Sequence, residues 1–253
     1  MNDHKKRIAI VTGATSGIGE ATARKFIAGG MQVVGCGRTK EKLVALEQEL
    51  GDRFYGVAGD ASNEEVLDRL FEAAHEEFGR EADIVVANAG RGLGGSVREA
   101  DLAQLKELID LNITGTTYLI QKAAQRMVEI QKTAFPESAA DIVIIGSVVG
   151  RHISPFSAVY GASKFAVHAL AEALRRDVGP QGVRVSLVQP GIVISGFQAV
   201  ANYSDELVDS FHEKFGPLPE CSDIADAIHH VVTLPPHINI SDIVVRPTRQ
   251  DYP

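Results

Sequence analysis

Residues 7–12 (Arg7-Ile8-Ala9-Ile10-Val11-Thr12) run straight into Thr12-Gly13-Ala14-Thr15-Ser16-Gly17-Ile18-Gly19, and the reading of this junction decides the fold. A short β-branched apolar run that ends in glycine predicts a fully buried strand. The amphipathic stretch that follows, to Ala28, predicts a helix. Strand, glycine-rich turn and helix together set backbone N–H groups and a helix N-terminus where a pyrophosphate binds. The glycines are spaced GxxxGxG rather than GxGxxG, so the position of the turn at the first strand-to-helix junction carries the reading.

Outward from that junction the chain alternates strand and helix signals. Residues 32–36 (QVVGC) read as a second strand whose tip, Gly37-Arg38-Thr39, has no carboxylate for the ribose 2′-hydroxyl of NAD. Arg38 is placed to pair with a 2′-phosphate and Thr39 to add a hydroxyl contact, which favours NADP over NAD. Residues 53–58 (RFYGVA) read as a third strand, with Asp60 beyond its end either contacting adenine or capping the helix that begins near Asn63. A helix over 64–78 follows, and then a fourth strand over 83–87, closed by Asn88-Ala89-Gly90. A glycine there lets backbone approach a ligand closely.

The second half continues the alternation. Residues 102–130 read as one long helix carrying Asn112, a mediocre helix former, in its interior. Residues 131–140 (QKTAFPESAA) read as a loop, and 141–145 as a strand ending at Gly146-Ser147. From Ser157 to about Val178 the apolar residues Phe165, Ala169 and Ala173 recur at helical spacing. Residues 183–188 form the next strand, which Pro190-Gly191 breaks. Helices are expected over 204–215 and 222–234, the latter with Ser222 as N-cap, and a last strand over 240–245. This order predicts a single-domain α/β fold, a Rossmann-type doubly wound parallel sheet with helices on both faces. Gly13, Gly37-Arg38, Asp60, Asn88, Ser147 and Pro190-Gly191 all fall at C-terminal strand ends, the edge where such sheets bind ligands.

Tyr160-Gly161-Ala162-Ser163-Lys164 supplies the chemistry. Tyr160 and Lys164, four apart, share one helix face. A phenol with a pKa of about 10 is a poor acid–base catalyst at neutral pH, and a neighbouring ammonium brings it into range by favouring the phenolate.

Composition bounds the rest. The 253 residues, 45% hydrophobic and 23% charged, suit a globular core, and the net charge of −8 argues against a nucleic-acid-binding surface. The Lys5-Lys6-Arg7 cluster reads as solvated residues ahead of the first strand. No apolar run approaches the roughly 20 residues of a membrane span, and the N-terminus is too polar for a signal peptide. Cys36 and Cys221 are the two cysteines, too few for a disulfide framework. A cytoplasmic protein is expected.

TGATSGIG, the NAG of residues 88–90, Asn112, Ser147, YGASK and Pro190-Gly191, in this order along the whole chain, resemble the short-chain dehydrogenase/reductase family. The resemblance implies that Tyr160 is the general acid–base and that Lys164 binds the nicotinamide ribose while lowering the tyrosine pKa. It implies that Ser147 orients the substrate oxygen and that Asn112 anchors a water in a proton relay through Lys164. Gly13, Gly17 and Gly19 would lie under the pyrophosphate, Asp60 and Asn88 on the adenosine side, and Ile192 and Ser195 at the nicotinamide end. Thr15, Ser16, Ile18, Ala61, Ala89, Gly90, Pro190 and Gly191 complete the implied cofactor-binding set, with no metal. The chain departs from the family at Ser195, where Thr is commoner, and at Ala87, where Asn is.

For substrate, a short lid near 195–216 carries Phe197, Tyr203, Phe211 and Phe215, which suits a compact molecule. Arg91, Arg151 and His152 follow active-site strands and read either as substrate contacts or as structural side chains. NAGxxxGG, YGASKFAV and DIVVRP are similar to ribitol and other polyol dehydrogenases. TLPPHINI and the closing RPT are similar to NADP-dependent 3-hydroxy acid dehydrogenases of the serine type. A small polyol-like secondary alcohol and its ketone rank first, and a 3-hydroxy acid or semialdehyde second. A catalytically silent dinucleotide sensor ranks third, because the catalytic set is complete. The family also implies a homo-oligomer, dimer or tetramer, pairing helices 102–130 and 157–178, with Ala166, Leu170 and Leu174 compatible with an apolar outer face.

Overall fold

A computed structural model of the protein describes residues 7–152, 157–201 and 203–252, with the side chains of 199 and 200 excepted. The Lys5-Lys6 pair lies outside these residues, and Arg7, expected to be solvated, is instead buried because it pairs with Asp83 and Asp141. Val- and Ile-rich segments form seven strands: β1 (Ile8–Thr12), β2 (Gln32–Gly37), β3 (Phe54–Ala58), β4 (Ile84–Ala87), β5 (Ala140–Ile145), β6 (Val183–Pro190) and β7 (Asp242–Val245). They pair in parallel in the order β3-β2-β1-β4-β5-β6-β7. Burial on both faces explains why the inner strands read as continuous apolar runs rather than alternating ones.

The helices are α1 (Gly17–Ala28), α2 (Lys40–Leu50), α3 (Glu64–Phe78), α4 (Leu102–Ile109), α5 (Thr116–Ala134), α6 (Ala158–Val178), α7 (Phe197–Val200), α8 (Asp205–Phe215) and α9 (Cys221–Val232). Alternate strand residues point to opposite faces. Ile8, Ile10, Val85 and Ile142 therefore pack with Leu70 and Phe71 of α3, Leu119 and Met127 of α5 and Val167 of α6. Ala9, Val11, Val86 and Val143 pack with Phe26 of α1, Leu43 of α2 and Ile228 of α9. The sheet is thus doubly wound. Strand β1 lies between β2 and β4, so the winding reverses there and opens a crevice at their C-terminal ends. Among the described residues no helix is long and apolar enough to cross a membrane.

The opposite edge of the sheet holds a buried charge cluster. Asp141 pairs with Arg7 at 2.7 Å and with Arg184 at 2.7 Å, and Arg7 also pairs with Asp83 at 3.2 Å. Arg184 further donates to the carbonyls of Val232, Leu234 and Ile238, tying the end of α9 and the turn after it to β6.

Several local expectations are corrected. The long helix continues to Ala134, beyond Ile130, because Gln131 is buried and spans the next turn, its amide nitrogen donating to Ser138 and its oxygen accepting from Ala140. It is also broken by a π segment, Asp110–Gly115, between α4 and α5. Helix α9 is capped by Glu220, not Ser222: Glu220 and Asp223 form a reciprocal capping box. Asn63 caps α3 through Glu65 N–H, while Asp60 accepts from Ser62. On α6, Phe165, Ala169 and Ala173 face outward, Phe165 being 42% exposed, and Val167, Ala171 and Val178 supply the buried face.

Candidate active site

The crevice at the reversal is built first by Thr12 and Asn88. Thr12 Oγ1 accepts the backbone N–H groups of Asn88 and Ala89 at 3.1 and 3.0 Å, and Asn88 Nδ2 donates to the Thr12 carbonyl at 2.8 Å. These bonds lock the end of β1 to the end of β4. Gly13 follows with φ +70°, and a Cβ there would press on the Asn88 amide at 2.8 Å, so both conformation and space require glycine. Gly17 also has positive φ and faces Ser195 and Cys221 across a gap. Ser16 holds the N-cap position of α1 without making a side-chain cap bond. The first-turn amides of Gly17, Ile18 and Gly19 have no intrahelical carbonyl to bond, which fits an anionic pyrophosphate.

The ends of β2 and β3 lie beside the glycine turn. Gly37 packs on the side chain of Thr15, which brings the glycine turn beside exposed Arg38 and Thr39. Asp60 is exposed and Ala61 buried beyond β3, and Gly90 faces the Asn112 amide. At the other end, Pro190 closes β6, Gly191 packs on Gln250, and Ile192 N–H donates to Gln250 Oε1 at 3.1 Å. Ser195 accepts from Phe197 N–H at 3.2 Å.

Tyr160, Ser147 and Lys164 meet at the end of β5. Ser147 occupies the N-cap of a short 3-10 turn, Val148–Gly150, its Oγ accepting Val149 N–H at 3.4 Å and hydrogen-bonding with Tyr160. Lys164 Nζ donates to the Ile145 carbonyl at 2.7 Å and lies 5.8 Å from the centroid of the Tyr160 ring. Tyr160 is 9% exposed and packs with Leu93 and Leu108.

Asn112 sits in the π segment. Its Oδ1 accepts Arg91 N–H at 2.9 Å, and its Nδ2 donates to the Arg91 carbonyl at 3.0 Å and to Ser163 Oγ at 3.1 Å. Ser163 Oγ in turn donates to the Tyr160 carbonyl at 2.7 Å. Asn112 therefore joins the loop after β4 to α6, one residue short of Lys164. A π segment carries an extra residue per turn and often marks a functional site. At its end Gly115 packs directly on the backbone after β3, where any Cβ would strike the Ala61 carbonyl.

Electrostatics reverse one expectation. The Tyr160 pKa is raised, not lowered: burial is the largest cause, and the Ser147 hydrogen bond only partly opposes it. Burial also lowers the Lys164 pKa to about 8, and its Nζ is held by the Ile145 carbonyl.

Phe197 closes over Tyr160 with ring centroids 5.3 Å apart, and contacts run on through Tyr203, Phe211 and Phe215 at 6.5, 6.2 and 6.4 Å. Arg91 bonds Glu107 and Gln104 on α4, and Arg151 bonds Gln189 at 2.5 Å and Asp242 at 3.1 Å, while His152 is exposed. A cavity of about 490 Å³ bounded by Phe135, Arg184 and His237 lies at the N-terminal end of β6, remote from these groups. Sequence reading passed over Thr12, Gln250 and His168. The only signal for Thr12 was a hydroxyl residue ending a strand just before the glycine turn.

Residues 7–205 match the family model described as short chain dehydrogenase. The chain is 36% identical over 242 residues, 95% of its length and 97% of the relative's, to a protein of Staphylococcus aureus (strain MW2) described as an uncharacterized oxidoreductase. Among solved structures, it resembles the closed form of a serine dehydrogenase complexed with NADP+ (32% identity, TM-score 0.85, covering 97% of this chain and 96% of that one). It also resembles a 3-ketoacyl-(acyl-carrier-protein) reductase from Brucella melitensis complexed with NADH (26% identity, TM-score 0.86, covering 96% and 98%). With its parallel sheet, its glycine turn and the Ser147–Tyr160–Lys164 group at one edge, the chain belongs to the short-chain dehydrogenase family.

Proposed function

We propose that the protein interconverts a small polar secondary alcohol and its ketone with a nicotinamide dinucleotide, NADP in preference to NAD. The observation that carries this reading is the convergence of Ser147, Tyr160 and Lys164 at the strand edge that also bears the uncapped N-terminus of α1. A nicotinamide bound there supplies hydride chemistry. Tyr160 donates a proton to the carbonyl oxygen on reduction and removes one from the alcohol on oxidation. Ser147 Oγ hydrogen-bonds the same oxygen and stabilises its developing charge. Lys164 holds the ribose and favours the phenolate, and Asn112 supports α6 through Ser163 and serves a water relay toward Lys164. The glycine turn with Thr15, Ser16 and Ile18 receives the pyrophosphate. Arg38 and Thr39 receive a 2′-phosphate, Asp60, Ala61 and Asn88 to Gly90 flank the adenosine, and Pro190 to Ile192 and Ser195 flank the nicotinamide.

Residues 195–216 serve as the lid of a single oxidoreductase domain, and the aromatic row from Phe197 favours a compact substrate. Arg151 is engaged by Gln189 and Asp242, which supports a neutral polyol-like substrate over a carboxylate. The 32% identity to a serine dehydrogenase supports a second reading, a 3-hydroxy acid. Assembly is as a homo-oligomer, dimer or tetramer, pairing residues 102–130 with α6, whose outward residues are Phe165, Ala169 and Ala173 rather than Leu170 and Leu174, which pack against the core. The test is reduction of a panel of hydroxyketones, polyol ketones and semialdehydes with NADPH by wild type and Tyr160→Phe. Turnover that Tyr160→Phe reduces by about 10²–10⁴-fold, with NADPH binding retained, supports the reading. Equal turnover in the variant overturns it.

A further inference from the structure

Helix α6 presents Tyr160, Lys164 and His168 four residues apart, so that all three share one face. Lys164 reaches the Ile145 carbonyl, and His168 Nε2 accepts the backbone N–H of Ser147 at 3.3 Å. The imidazole lies in a bed formed by Gly146 and Gly150, where a Cβ on either residue would land on the ring. The backbone on both sides of the serine is therefore shaped to the histidine. Ser147 Oγ is left for Val149 N–H and Tyr160.

We propose that His168 is a positioning residue for Ser147: its neutral imidazole holds the Ser147 amide and so keeps the serine hydroxyl aligned with that of Tyr160. This rests on the reading of Ser147 and Tyr160 as a catalytic pair. Accepting at Nε2 requires the proton to sit on Nδ1. The groups facing the ring are Lys164 on its own helix, Arg151 after the 3-10 turn and Asp242 on β7. Glu172 and Arg175 of α6 share a cleft of about 100 Å³ with it. Burial first, then Lys164 and Arg151, lower its pKa to about 4 against the opposing pull of Asp242. The acceptor therefore persists through the neutral range, and acid converts it into a donor facing another donor.

The test compares His168→Leu, which removes the acceptor, with His168→Gln, which keeps one. In the uncomplexed wild type, ¹⁵N NMR at pH 6 is expected to show the neutral Nδ1–H tautomer. Exchange of the Ser147 amide should be about 5–10-fold faster in His168→Leu and near wild type in His168→Gln. With NADPH and the best ketone of the panel, kcat should fall about 10–100-fold in His168→Leu with little change in KM, and recover in His168→Gln. A Ser147 amide equally protected in His168→Leu overturns the proposal, as does a His168→Gln variant impaired like His168→Leu in both measurements. Should His168→Leu not fold, an imidazole found charged or Nε2-protonated at pH 6 overturns it. Absence of turnover on every ketone would count against the proposed function alone, because the tautomer and exchange measurements still decide the role of His168.

Discussion

Lys164 Nζ is bonded to the carbonyl of Ile145, the last residue of β5, at 2.7 Å. The ammonium is thereby anchored to the sheet while only 7% of the residue is exposed, and burial lowers its pKa from 10.5 to about 8. A lysine whose folded pKa lies below its unfolded one weakens the fold most below the folded pKa, where the buried charge is fully present. That penalty is relieved as pH rises from about 8 towards 10.5. Cys36 and Tyr160, both raised by burial, pull the other way above their unfolded values, so the comparison is best made between wild type and Lys164→Met, in which those groups cancel. The stability of wild type relative to the variant should rise by on the order of 2 kcal/mol between pH 8 and 10, measured by urea unfolding. A flat difference would show that the lysine is not desolvated.

Arg38 is exposed at the end of β2, beside Thr15 of the glycine turn. Charge-assisted bonds to a phosphate contribute about 1.5–3 kcal/mol, so Arg38→Ala should weaken NADPH binding by about 10–100-fold and leave NADH within about twofold. Fluorescence titration reads both. A wild type that prefers NADH and is indifferent to Arg38 would place the reaction with NAD-linked alcohol oxidation.

Asp141 is shared by Arg7 and Arg184 in the buried cluster below the sheet. Asp141→Asn keeps the volume and leaves two buried guanidinium groups short of a counter-charge. The expected loss is about 3–5 kcal/mol of unfolding free energy, with kcat unchanged in the folded fraction. A loss below about 1 kcal/mol would mean that the backbone carbonyls around Arg184 suffice.

Phe197 packs against Tyr160 with its ring tilted by 53° and meets Tyr203 edge-on. Phe197→Ala should enlarge the space above the Tyr160 hydroxyl and raise kcat/KM for ketones with one bulky substituent by about tenfold relative to the smallest ketone. An unchanged ratio would assign the size limit to another wall of the pocket.

The fold was legible because its decisive signals are local. A glycine-rich turn directly after a strand-length apolar run and an unbroken strand–helix alternation need no tertiary knowledge. The residues singled out as motifs at strand ends gather at one edge of the sheet. What escaped depends on contacts between distant segments. The π segment around Asn112 and the close approach of Gly115 to the Ala61 carbonyl both involve segments distant in sequence, which no periodicity reveals. Apolar residues on both sides of α6 made the outward stripe of Phe165, Ala169 and Ala173 look like the core side. The sign of the Tyr160 shift needed burial, the stronger effect, and sequence supplied only the neighbouring lysine. His168 was passed over because a lone helical histidine has no meaning until Gly146 and Gly150 are seen to enclose it.

The charge cluster of Arg7, Asp83, Asp141 and Arg184 occupies one end of the strands, and the chemical groups occupy the other. Strands of about five residues separate the two ends by roughly 15–20 Å, beyond the range at which substitutions usually couple. Variation at the upper edge, from Gly90 through the lid, can therefore explore new substrates while the lower edge keeps the sheet registered. The protein is in this sense evolvable by halves: a lineage could change what it binds at the upper edge without renegotiating how it folds.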